Sequence, residues 1–550
     1  MLGMLALVFL AAAAWAWFSR ERIADNYLGA QLRELGLPAT YEIERVGPVQ
    51  QVLRNIVIGD PKRPDLTIER AEALIDYRFG FPSVGRITVI RPRLYASYRG
   101  GKLSLGSLDK VLFAKTEPAQ PFRLPDLDVR IVDGRGLLES DLGAVGMKID
   151  GAGRLRSGFV GTLAAIAPEA SLAGCRIGRA SLYGALSVTR EKPHFAGPVR
   201  VAAAICPDGT VLEQVGLHVD GMLDPALDGG EARLGLEAGP VVGAGVRANA
   251  LKGTGRLTYR IKALTARYDL AAEAVTAAAF GAKTLRAEGA IRSQNGLAKA
   301  SLDGTVTGEG LALGKSLDNT LAASQRATAA TPLAAMLGQM RAALQRETPG
   351  SSISASYLAR RTEAGFALTV PQANLRGGSG QTLVAISRFQ LSPSSGGGVP
   401  RLSGNIVTGG PGLPQIAGRM ERPSRGEAVL RLTMAEYRAG ASRLAVPNLV
   451  VAQEPRGALG FAGRVVLSGP LPGGAASNLA VPIDGNWSGA GGLSLWRHCT
   501  PVAFDRLAFA NLTLDRRSVT LCPGPDGAIV RSGRGGTRIA AGTNRLDLSG

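Results

Sequence analysis

The sequence predicts an all-β protein. Its expected form is an elongated sheet curled lengthwise into a groove (a β-taco), with an N-terminal transmembrane helix and one internal helical segment. Three observations predict this fold. Apolar residues alternate at period two along most of the chain. Glycine (73) and proline (31) are abundant while aromatic residues make up only 5%, which suits many short strands joined by tight turns. Helical patterns are nearly absent between residues 40 and 310, so no helical layer is available to cover one face of the sheet.

The elements follow in order. Leu2 to Phe18 is an uncharged apolar run ending in Trp15, Trp17 and Phe18, which is read as a retained membrane anchor over residues 1–18. Ala14-Trp15-Ala16 offers the alternative of a cleaved signal peptide, and either reading sends the body out of the cytoplasm. Ile23, Tyr27, Leu28, Leu32 and Leu35 give an amphipathic helix over 19–37.

From residue 38 to 315 the pattern is that of strands. Ile87 and Val89, Leu94, then Leu103 and Leu105 each fall on one strand face, with breaks at Arg91-Pro92-Arg93 and Gly100-Gly101. Val129 and Ile131 continue the alternation, followed by Leu182, Leu186 and Val188, and by Val199 and Val201. Leu234 and Leu236, then Leu257 and Ile261, close the candidate set for the groove lining. Residues 316–348 are rich in Ala, Leu and Gln. Thr331-Pro332 is placed as an N-cap followed by a first-turn proline, and Pro349-Gly350 as the stop, so this segment is expected to be a helical insert covering an end or flank of the sheet. Strand grammar resumes over 349–550, with Ser392 to Gly398 as a loop or joint.

Four cysteines, Cys175, Cys206, Cys499 and Cys522, lie in no Cys-x-x-Cys motif. In an exported protein the even count suggests two local disulfides, although three pairings are open and buried free thiols are the rival reading. A bridge closing a loop of this size contributes about 3 kcal/mol.

Charge and motifs exclude several functions. Lys+Arg 63 against Asp+Glu 44 gives +19, but the basic residues are scattered and no nucleic-acid partner is expected. His194, His218 and His498 lack metal-ligand spacing, and no nucleophile elbow occurs. Gly308 to Ser316 imitates a phosphate loop with Glu309 where its first glycine belongs, and Gly243 to Ala248 imitates a dinucleotide fingerprint followed by helix-breaking Gly253 and Gly255. Neither an enzyme nor a bound cofactor is expected. The apolar face must therefore pack on another sheet, close into a barrel, or curl around a ligand. Strands of five or six residues span roughly 17–20 Å, about the length of an extended acyl chain.

Leu53 to Pro61, Ile87-Thr-Val-Ile-Arg-Pro-Arg-Leu94 and Gly101-Lys-Leu-Ser-Leu-Gly-Ser-Leu108 resemble the N-terminal region of the AsmA-like proteins of Gram-negative bacteria. Cys175 to Tyr183, Cys499 to Leu507 and Leu521-Cys522-Pro523 are most similar to the YdbH group, relatives of TamB. The resemblance implies a single-pass inner-membrane protein whose periplasmic β-groove passes phospholipids towards the outer membrane, with a small outer-membrane lipoprotein as partner. It also implies further sequence beyond Gly550 and a start upstream of Met1. The competing reading is an exported structural or assembly protein that supports outer-membrane biogenesis through exposed sheet edges.

Overall fold

The computed structural model describes residues 36–78, 81–100, 102–112, 123–172, 174–243, 245–260, 262–294, 299–363, 365–393, 401–422, 428–453, 458–489, 491–525, 527–533 and 536–543. The anchor expected at 1–18, and all but Gly36 and Leu37 of the helix expected at 19–37, lie outside these residues, as does most of the joint at 392–398. Among the described residues no helix is long and apolar enough to cross a membrane.

The chain divides into two units. The first takes Met1–Ala244 and Ala250–Lys262, the second Gly245–Asn249 and Ala263–Gly550. In the first, long strands such as Arg63–Arg78, Asp128–Ser140 and Lys192–Ile205 pair mostly as antiparallel neighbours in chain order. One departure occurs early: Phe81–Ile90 and Arg93–Arg99 both run parallel to Asp128–Ser140, with Lys102–Ser104 folding back on Arg93–Arg99 between them in the chain. In the second unit, Ala263–Ala277 begins a meander through Phe280–Gln294, Lys299–Leu313 and onward to Leu512–Pro523.

Helix α1 (Lys315–Ala327) and helix α2 (Pro332–Glu347) interrupt the second meander between Lys299–Leu313 and Ser352–Thr362. Thr331 occupies the N-cap position and Pro332 the first turn of α2, where a missing N–H costs nothing. Gly350, at φ 77°, turns the chain back into the sheet. The two helices are clamped by Arg341, whose guanidinium donates to both oxygens of Asp318 at 2.6 Å. Helix α2 then packs on Tyr437 and Ala439 through Met336, with Met434 and Leu444 beside them.

Fully buried side chains are few. Among the described residues only 20 apolar side chains are buried, and nine of these are alanines. A sheet covered by a second layer would bury one whole face, so these sheets carry most of their apolar residues half-buried.

Cys175 is bonded to Cys206 and Cys499 to Cys522. The first joins Cys175–Ile177 to the end of Lys192–Ile205, strands that also pair through Arg176 and Ile205. The second joins the start of Thr500–Phe509 to the end of its hairpin partner Leu512–Pro523.

Candidate functional site: two apolar sheet faces

Directly opposed residues on neighbouring strands share a face, so the register sorts each sheet into rows. In the first unit one row runs Ala71, Val89, Ile131, Gly151, Gly161, Leu186, Phe195, Gly221, Ala232 and Leu257, across ten strands without a charged residue. A second row on the same face runs Leu94, Gly136, Met147, Ala165, Leu182, Val199, Leu217, Leu236 and Gly253. The bulge at Asp133 (φ 50°) keeps Ile131 and Gly136 on one face although they are five residues apart.

The opposite face is polar. Arg93, Arg135 and Lys148 stand side by side there, and Asp220, Arg233 and Arg256 form another run. Exposure follows the same alternation: in Gly230–Ala238, Glu231, Arg233 and Glu237 are exposed while Ala232, Leu234 and Leu236 are half-buried.

The apolar face is concave. Gly151 opposes Gly161, and a Cβ built on Gly161 would stand 2.8 Å from the Gly151 Cα. A Cβ on Gly197 would stand 2.6 Å from the Gly184 Cα. Real Cβ atoms essentially never come within 3.0 Å of such a neighbour, so the strands approach each other on this side at positions where the side chain is missing. The same face holds a pocket of about 490 Å³ lined by Leu163, Leu186, Phe195, Val219, Ala232 and Leu257. Leu227 and Asp228 of a turn, and Tyr259, complete the lining.

The second unit repeats the arrangement. Leu270, Ala287, Val306, Ala355, Ala373, Ile386, Ile406, Gly418, Leu432, Leu449, Gly463 and Ile483 are successive partners on twelve strands. Gln372, Ser387, Asn405, Arg419 and Arg431 form a row on the other face. Here the apolar face is partly occupied, because Met336 of α2 reaches Met434 and Leu444.

Most of the lining residues expected from sequence fall on the first unit's apolar face. Besides Val89, Leu94, Ile131, Leu182, Leu186, Val199, Leu236 and Leu257 in the rows above, Ile87 opposes Val129, Val201 opposes Val215 and Leu234 opposes Val219. Val188, opposite Pro193, is buried. Leu103, opposite Tyr98 at a hairpin end, is 47% exposed, and Leu105 lies past its strand, before the short turn Gly106–Leu108. Ile261 lies outside the described residues. The lining candidates read from sequence left out Met147 and Ala287, although the alternation at Val145-Met147-Ile149 and Leu285-Ala287-Gly289-Ile291 is legible, and they left out Phe195 and the rest of the second unit's row. Phe195 sits between proline and glycine punctuation, and the second row is broken up by bulges at Met434 and by the helical insert.

The two nucleotide-like motifs have no matching geometry. Gly308 to Leu313 is part of the strand Lys299–Leu313, and Val246–Ala248 leads into the strand Ala250–Arg260 where a phosphate-binding helix would be needed. His194 is bound at 2.7 Å to Asp220, whose carboxyl that hydrogen bond holds below its ordinary value. Among the described residues no cluster of His, Cys, Asp or Glu has the arrangement of a metal site.

A family model described as "YdbH-like: Intermembrane phospholipid transport protein YdbH" matches residues 5–546. The chain belongs to this YdbH-like family. No curated protein and no solved structure matches.

Proposed function

We propose that this YdbH-like chain is a passive conduit for phospholipid between the inner and outer membranes, with acyl chains held on the apolar sheet faces and head groups left in water. The observation that carries this reading is the unbroken apolar row of the first unit together with the pocket folded into it. An apolar face this size, half-buried beside a charged opposite face, supports a hydrocarbon occupant. Each methylene withdrawn from water contributes about 0.8 kcal/mol, and successive positions along the row offer nearly the same contact. A chain can therefore slide without leaving a deep well, and no residue has to be catalytic.

In this reading residues 1–18 anchor the protein in the inner membrane and the body lies in the periplasm. Residues 38–315 and 349–550 form two stretches of groove around the insert 316–348, and an outer-membrane lipoprotein receives the lipid.

Leu186→Arg tests the proposal, since it places a charge in the pocket between Gly161 and Phe195. Mass spectrometry of lipid extracted from the purified protein should find phospholipid with the parent chain and a severalfold loss with the variant. Equal lipid on a correctly folded variant would sink the groove. A parent protein that is folded and lipid-free would favour the scaffold reading instead.

A further inference from the structure

The floor of the second unit's apolar face carries a pair of tyrosines. Tyr268 opposes Gly289, Gly289 opposes Gly304, and Gly304 opposes Tyr357. The four residues form one row, two rings flanking two glycines. A Cβ on Gly289 would stand 2.8 Å from the Gly304 Cα and 2.6 Å from the Tyr268 hydroxyl, and one on Gly304 would stand 3.0 Å from the Tyr357 hydroxyl. The rings therefore lie down over the glycines, and their hydroxyls meet above the pair and hydrogen-bond to each other. This covers the floor, but phenylalanine would cover it as well. What tyrosine adds is a pair of hydroxyls among Leu270, Ala287, Ala355 and Val306, residues of the neighbouring row on the same face.

Two hydroxyls hold two protons, and their mutual hydrogen bond uses one. The second proton has no further partner among the described residues. Burial, and then the bond to Tyr357, hold the Tyr268 phenol far above its ordinary value, so it stays a neutral donor at every physiological pH. On a half-buried apolar floor this remaining donor suits a ligand that lays hydrocarbon on the face and brings an acceptor oxygen to the pair.

We infer that the Tyr268–Tyr357 pair is a hydrogen-bonding station for an acceptor oxygen of a lipid lying in the second unit's apolar face. The inference rests on the conduit reading. Two oxygens of a phospholipid have this chemistry, the ester carbonyl and the phosphodiester. Both would be drawn to the pair while the acyl chains lie against Leu270 and Ala287.

The test uses the full chain in phosphatidylglycerol vesicles, with a benzophenone photoprobe in place of Leu270, two residues from Tyr268 on the same face. Crosslinking is measured with ester-linked lipid and with its ether-linked analogue, which lacks the carbonyls. Removing both hydroxyls with Tyr268→Phe and Tyr357→Phe together should lower the crosslink yield by roughly threefold to tenfold, the loss of one hydrogen bond. A loss confined to the ester lipid assigns the carbonyl, and an equal loss with both lipids assigns the phosphate. Either single Phe variant leaves one hydroxyl with its proton unspent and should stay within about twofold of the parent. Unchanged yield in the double variant, with lipid still crosslinked, makes the pair a mere cover for the glycines and overturns the station. No crosslink to either lipid in any protein removes the occupied face itself, and the conduit reading with it.

Discussion

The two units are built on the same two-sided sheet, yet they treat the apolar side differently. In the first, strands approach closely at Gly151–Gly161 and Gly184–Gly197, and the same face holds an open pocket with Phe195 in its wall. In the second, the equivalent approach at Gly289–Gly304 is roofed by Tyr268 and Tyr357, and α2 lies against Met434 and Leu444. Glycine pairs thus set where strands can approach, and the neighbouring side chains decide whether the approach is left open. The contrast is between a face shaped for bulk hydrocarbon and one that also presents polar groups and a covering helix.

The approach distances give the largest expected effect. Gly197→Val should destabilise the first unit by about 2–4 kcal/mol, because its Cβ has no space beside Gly184 and the backbone must move. Gly460→Ala, on a strand of the second unit where a Cβ meets nothing within 4 Å, should change stability by less than about 1 kcal/mol. Thermal unfolding of the two variants checks whether folding at the glycine pairs, rather than glycine itself, is what the sheets require.

Breaking the disulfides compares the units directly. Cys175→Ser with Cys206→Ser closes no loop of 31 residues, and Cys499→Ser with Cys522→Ser none of 23. Each should cost about 3 kcal/mol by chain entropy, with protease nicking appearing near the broken bridge. Nicking at the second unit after loss of the first bridge would show that the units do not unfold separately.

Met336→Ala attacks the covering helix. The side chain is buried between Tyr437 and Ala439, so its loss should cost about 2–3 kcal/mol locally and raise hydrogen exchange over Pro332–Glu347. Exchange unchanged there would mean that α2 is held by its polar contacts alone. These include Gln339 donating to the Arg438 carbonyl at 2.8 Å, Tyr437 donating to the Met336 carbonyl at 3.4 Å, and the Arg341–Asp318 and Glu347–Ser379 bonds.

The smallest effect is a pH dependence at the end of α2. Glu347 is buried and accepts from the Ser379 hydroxyl at 2.6 Å and from the Ser379 N–H at 3.1 Å, which lowers its carboxyl below the ordinary value. That contribution is fully present above the unfolded-state value and is lost as pH falls through the lower folded value. The protection factor at Thr348 to Ser351 (exchange relative to its intrinsic rate at each pH) should therefore fall on acidification in the parent. With Glu347→Gln it should stay flat.

Much of the fold is legible in the sequence because side-chain period is a local property. Leu182, Leu186, Val199 and Val201 alternate with polar neighbours, and alternation alone places them on one face of a strand. The turn chemistry at Thr331-Pro332 and Pro349-Gly350 likewise marks the helical insert without any partner. The sequence by itself therefore determined the strand grammar, the sidedness of most strands and the break between residues 316 and 348.

Only the tertiary structure decided what these faces enclose. Gly289 and Gly304 look like many other glycines until the hairpin register brings them opposite each other, and Tyr268 and Tyr357, 89 residues apart, meet only across that register. Leu94 shares a row with Gly136 because two strands run parallel, which no local pattern announces. Concavity has the same origin. It depends on distances between strands, and those are set by which residues lack a Cβ at positions that become neighbours only after the sheet has formed.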